Sequence, residues 1–163
     1  MKIAIFGGSF DPFHKGHKEV IKEALKSLKI DRLIVVPTYL NPFKKEFFLD
    51  EKKRLKYVKN ALKNFKKVKI LDFEVRQKRA VSSYETILFL KKKYNLNKIY
   101  FIIGADNLKD LSKWYKYKKL SKMVEFVIAK RDNIFIPKKY KILNVKKNIS
   151  STKIRREKFA KNK

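Results

Sequence analysis

Ile3-Ala4-Ile5-Phe6-Gly7-Gly8-Ser9-Phe10-Asp11-Pro12-Phe13-His14-Lys15-Gly16-His17 decides how the rest of the chain reads. Its first four residues are an apolar run of the length and character of a buried strand. From about Gly16 onward, Val20, Ile21, Ala24, Leu25 and Leu28 recur at helical spacing. The stretch between is therefore a loop joining a strand to a helix. Gly7 and Gly8 allow a tight turn and close approach of backbone to a ligand, and the start of the helix offers unpaired N–H groups that favour an anion. His14 and His17 are the two histidines of the protein, and three residues apart they can address one phosphate group. The alternative from the loop alone is a plain turn with two polar histidines. A zinc site is disfavoured, because no cysteine and no third histidine exists to complete it.

The same alternation continues. Arg32–Pro37 reads as a second buried strand; a loop with Asn41, Pro42, Phe43 and Lys44 follows; Leu55, Val58, Leu62 and Phe65 mark a helix; and 68–73 reads as a third strand. A polar loop is expected over 76–83, a helix on the face of Tyr84, Ile87, Leu88, Lys91 and Tyr94, and a fourth strand over 98–103 closed by Gly104. Short helices follow around Leu108, Leu111, Trp114, Tyr115 and Leu120. A fifth strand is expected over 124–129, a weaker sixth over 140–145, and a last helix capped near Ser150, Ser151 and Thr152. The fold class is thus α/β, a Rossmann-like doubly wound parallel sheet of five to six strands, in one domain over 1–163. Ligands of such sheets bind beyond the carboxyl ends of the strands. The chemically unusual residues leave those ends: His14, His17, Lys44, Ser83, Asp106, Trp114, Thr152 and Arg155.

The 163 residues are 44% hydrophobic, enough for a sizeable core. The absence of cysteine excludes a disulfide framework. No apolar stretch reaches the length of a membrane span or a secretory signal, so no membrane partner and a cytoplasmic location are expected. The formal charge of +29 would suit a nucleic-acid partner. Only seven of the 44 basic residues are arginine, however, and the lysines are spread along every segment, as on solvated faces. The positive field would still concentrate ATP and other polyphosphates.

Glycine N–H groups, paired imidazoles, Lys44 and a serine/threonine helix start followed by Arg155 all favour phosphate. Without a partnered nucleophile, phosphoryl or nucleotidyl transfer fits, since it needs positioning and charge neutralisation more than covalent help. Residues 7–17 resemble the GG(T/S)FDPxHxGH signature of the nucleotidyltransferase superfamily, and residues 149–155 resemble its ISSTxxR signature. Within it, Phe101–Leu108 with Trp114-Tyr115, the Val36–Lys44 loop and the turn Ser83–Thr86 are similar to bacterial nicotinate-nucleotide adenylyltransferase.

That resemblance implies adenylyl transfer from ATP to nicotinate mononucleotide, with Mg2+ carried on the ATP and no dedicated protein metal site. It implies ATP contacts from Gly7, Gly8, Ser9, Phe10, His14, His17, Ser151, Thr152 and Arg155, with His14, His17 and Arg155 catalytic. Lys44, Ser83, Asp106, Trp114 and Tyr115 would bind the acceptor, Asp106 through a ribose hydroxyl and Trp114 by stacking on the pyridine ring. Phe43 stands where the family commonly has histidine, Ser83 where it has threonine, and only eight residues follow Arg155. The alternatives are an adenylyltransferase for nicotinamide mononucleotide or phosphopantetheine, and a basic nucleic-acid-binding protein with an idle site. Monomer and homo-oligomer are both open.

Overall fold

The computed structural model describes residues 1–39, 49–131 and 133–145. Six parallel strands form one sheet: β1 (Lys2–Gly8), β2 (Arg32–Pro37), β3 (Val68–Ile70), β4 (Lys98–Gly104), β5 (Glu125–Ala129) and β6 (Lys141–Leu143), in the order β3-β2-β1-β4-β5-β6. The helices are α1 (Lys15–Ser27), α2 (Glu51–Leu62), α3 (Phe73–Gln77), α4 (Ser83–Lys93) and α5 (Tyr117–Met123), with a 3-10 segment over Ala105–Lys113. The chain winds outward from β1 through β2 to β3, then returns to the other side of β1 to lay down β4, β5 and β6. The strand order reverses between β1 and β4, where Ile3 pairs with Ile99 and Phe6 with Ile102. A crevice opens there at the carboxyl ends.

Burial on both faces explains why the strands are apolar without a break. In β1, Ala4 and Phe6 pack with Val20, Ile21 and Ala24 of α1 on one face. Ile3 and Ile5 pack with Ile87 and Leu90 of α4 on the other. The third strand is shorter than the expected 68–73. The Leu71 N–H still donates to the Val35 carbonyl at 2.8 Å, but Asp72 then enters α3. The expected loop over 76–83 therefore begins helical, and Lys78 ends that turn in the left-handed region at φ 52°. The expected last helix lies outside the described residues, as do Asn41, Phe43, Lys44, Ser150, Ser151, Thr152 and Arg155. Among the described residues, no helix is long and apolar enough to cross a membrane.

Candidate active site

A cleft of about 1060 Å3 lies over the carboxyl ends of β1 and β4. Gly7, Gly8, Ser9, Phe10, His14, His17, Ser83, Asp106, Trp114 and Tyr115 all line it. Each acceptor- or ATP-contact residue expected from the sequence and lying within the described residues is therefore at one site.

His14 and His17 build the start of α1. The Gly16 N–H donates to His14 Nδ1 at 3.0 Å, and the His14 N–H donates to His17 Nδ1 at 3.1 Å. The three-residue spacing is thus a reciprocal capping box made of imidazoles. With both Nδ1 atoms accepting, the proton of each neutral ring belongs on Nε2, where it can be donated. The rings stack with centroids 3.8 Å apart, and Phe10 and Phe13 pack against His17 at 5.0 and 5.2 Å. Burial, then the charge of Arg131, lowers the His14 pKa to about 4. His17 is lowered well below the ordinary histidine value by burial, His14 and Arg131, in that order. Both rings are therefore neutral donors at pH 7.

Backbone amides orient these rings. Asp11 is buried and its Oδ1 accepts from the Leu49 N–H at 2.7 Å. The turn falls at Phe10, whose φ is +47°, and the two glycines continue β1. Gly8 packs closely, since a Cβ there would lie 3.2 Å from the Phe10 ring and would press on it.

Arg54 of α2 braces this end. Fully buried, its guanidinium donates to the carbonyls of Leu49, Ser9, Thr38 and Tyr39 at 2.6–3.2 Å, tying the exit of β1 to the exit of β2. The hydroxyls of Ser9 and Thr38, beside those carbonyls, are buried with no hydrogen-bond partner among the described residues. Both line the cleft. A buried hydroxyl without a partner beside a cleft is a group that a polar ligand could satisfy after a small side-chain rotation.

The far end is built on α4. Its cap is Ser82, not Ser83: the Glu85 N–H donates to Ser82 Oγ at 3.2 Å and the Ser82 N–H to Glu85 Oε2 at 3.0 Å. Arg79 holds Glu85 at 3.0 Å. Ser83 is left outside the cap as the first helical residue. Behind it Thr86 Oγ1 donates to buried Glu74 Oε2 at 2.6 Å, and burial raises the Glu74 pKa to about 8. Trp114 meets Phe101 and Phe126 edge to face at 5.9 and 6.3 Å while still lining the cleft, so it is at once core aromatic and cleft wall. The Tyr115 ring is 59% exposed, and Lys116 lies over the Tyr84 and Tyr115 rings at 5.0 and 5.4 Å.

Asp106 joins the two ends. It is no helix cap; that position is Gly104, which makes no side-chain capping bond. The Asp106 carboxylate instead lies over Gly104, where a Cβ would come within 2.6 Å of Oδ1, and Oδ2 pairs with Arg131 at 3.4 Å.

A switch-point cleft with imidazole donors at a helix start and an aromatic pocket alongside defines a nucleotide-binding α/β enzyme of the transferase kind. The cytidylyltransferase-like family model matches residues 5–157. The chain is 55% identical to a protein of Campylobacter fetus subsp. fetus named probable nicotinate-nucleotide adenylyltransferase, over 96% of this chain and 87% of that one. It is 52% identical to one of the same name from Nitratiruptor, over 95% and 88%. Among solved structures, nicotinic acid mononucleotide adenylyltransferase of Plasmodium falciparum complexed with NaAD is similar at TM-score 0.79 and 25% identity, over 95% of this chain and 82% of that one. The chain belongs to the cytidylyltransferase-like family and, within it, to the nicotinate-nucleotide adenylyltransferases.

Proposed function

We propose that the chain transfers the adenylyl group of ATP to nicotinate mononucleotide, releasing pyrophosphate and forming deamido-NAD. The observation that carries this reading is the continuity of one cleft from the imidazole pair to the start of α4 and Trp114. It has room for a donor and an acceptor nucleotide end to end.

A phosphate oxygen of the acceptor attacks the α-phosphorus of ATP, and the bond from that phosphorus to the oxygen bridging to the β-phosphate breaks. A phosphate monoester has a second pKa of about 6, so the attacking oxygen is already ionised at pH 7 and needs no base. The Nε2–H groups of His14 and His17 donate to oxygens on which charge builds. The N–H groups of Gly8, Ser9 and Phe10 flank the phosphates. The hydroxyls of Ser9 and Thr38, without a partner among the described residues, suit the acceptor phosphate, together with Lys44. Ser151, Thr152 and Arg155 take the β- and γ-phosphates. Trp114 stacks on the pyridine ring, Asp106 accepts from a ribose hydroxyl, and the first-turn amides of α4 with Ser83 and the Tyr115 amide face the pyridine carboxylate. The helix start carries partial positive charge, which favours the acid over the amide. Magnesium bound to the triphosphate would offset part of its charge. Among the described residues, no three histidine, cysteine or carboxylate side chains gather into a metal site, and the cleft's imidazoles, arginine and hydroxyls suit phosphate oxygen instead.

The test is pyrophosphate release with magnesium-ATP and, in parallel, nicotinate mononucleotide, nicotinamide mononucleotide or phosphopantetheine, with products identified by mass. The nicotinate acceptor should give kcat/KM at least about tenfold above the others, the discrimination expected of one or two polar contacts. Preference for another acceptor would overturn the roles given to Ser83, Trp114 and Tyr115.

A further inference from the structure

Arg131 follows the end of β5, next to β4, whose exit leads into Asp106, and lines the cleft. Its Nη1 pairs with Asp106 Oδ2 at 3.4 Å, and its positive charge reaches both His14 and His17. This contact has more than a structural meaning. Neutral imidazoles supply hydrogen bonds without full charge, while a polyphosphate brings several negative charges to the same place. Lys116 is committed to the tyrosine rings at the far end, while the charge of Arg131 acts on both histidines. The ion pair with Asp106 is also weak: its side chains are 43% and 50% exposed, and solvent screening leaves such exposed pairs little net strength. A guanidinium paired with phosphate through two parallel hydrogen bonds is a stronger arrangement. Lastly, the Asp106 carboxylate is seated against Gly104, so the longer arginine side chain is the member free to swing.

We infer that Arg131 is a further catalytic residue: on nucleotide binding its guanidinium leaves Asp106 and pairs with the polyphosphate, and the vacated Asp106 carboxylate accepts from ribose. This rests on the proposed phosphate site near the histidines and not on the identity of the acceptor.

Inorganic tripolyphosphate with magnesium tests it, because that probe carries neither ribose nor pyridine. In calorimetric titrations of the full chain at physiological ionic strength, Arg131→Ala should weaken binding by about tenfold or more, the loss of one charged contact, and Arg131→Lys should fall between. Asp106→Asn should tighten binding, since it frees the arginine and removes a negative charge. Lys92→Ala, at the end of α4 away from the cleft, should leave binding unchanged, which separates the site from the general positive field. In turnover, Arg131→Ala should cost about 10²-fold in kcat, as loss of one preorganised donor does. A purely structural ion pair predicts instead that Arg131→Ala and Asp106→Asn weaken binding alike. That outcome, or tripolyphosphate affinity of Arg131→Ala within about twofold of wild type, would overturn the inference. A chain that binds tripolyphosphate as expected but adenylylates no nicotinate nucleotide would overturn the acceptor assignment and leave Arg131 standing.

Discussion

Two helix starts face the same cleft, and each is closed by a reciprocal capping box. At α1 the box is His14 and His17, both half-buried, with His17 packed against Phe10 and Phe13. At α4 it is Ser82 and Glu85, tied outward to exposed Arg79. The first makes the cap out of the groups that would do the chemistry; the second puts the cap on Ser82, which leaves Ser83 without a capping bond to compete with the proposed acceptor contact. Geometry and catalysis should therefore be inseparable at α1 and separable at α4.

The largest effect belongs to the fused case. His17→Ala removes a donor and a cap together: kcat should fall about 10²- to 10³-fold and stability by about 1 kcal/mol. His17→Gln divides the two losses, because glutamine at the third helical position can still reach back to the capping residue's N–H. Its melting temperature should stay above that of His17→Ala while its kcat remains low. Recovery of kcat along with stability would mean that His17 serves only as a cap.

A second test concerns the buried charge at each end. Burial keeps the histidines neutral by lowering them and keeps Glu74 neutral by raising it to about 8. A folded-state pKa above the unfolded one means that folding retains a proton. The stability that Glu74 contributes is then complete below about pH 4.5 and is lost as pH rises through about 8. Glu74→Gln cannot titrate, so its melting temperature relative to wild type should climb by several degrees between pH 5 and pH 8. A constant difference over that range would show that Glu74 is already ionised in the fold.

How far the sequence went follows the same division between local and distant. Strand–helix alternation, the glycine-to-histidine loop and Trp114 were legible because periodicity and spacing are local. Ser82 and Ser83 could not be ranked, since either serine precedes the same apolar run and only the Glu85 bonds decide. Arg54 was hidden because a charge on a lysine-rich helix looks solvated. Yet it stands four residues before Val58 and eight before Leu62, on the buried face, which is a readable signal. Arg131 was hidden for a different reason: it meets Asp106 only because β5 lies beside β4. Composition held a clue to both. In a chain that answers almost every need for positive charge with lysine, its seven arginines stand out, and the planar fork of arginine is what multiple carbonyl or carboxylate contacts require. Lys44, Ser151, Thr152 and Arg155 lie outside the described residues, so their roles rest on motif alone.

The smallest expected effect is the cleanest test of the contrast. Ser82→Ala deletes the oxygen that accepts from Glu85 but leaves the Arg79–Glu85 pair and the Ser83 hydroxyl in place. Loss of such a cap costs about 1 kcal/mol, which in a chain of this size is a fall of about 2–4 °C in melting temperature. If cap and chemistry are separate at α4, kcat and the KM for the acceptor should both stay within about threefold of wild type, under 1 kcal/mol in transition-state terms. A loss of activity on the scale of His17→Ala, with the modest fall in stability, would mean that the α4 cap orients the acceptor as directly as the imidazole cap orients ATP. The two helix starts would then be one device used twice.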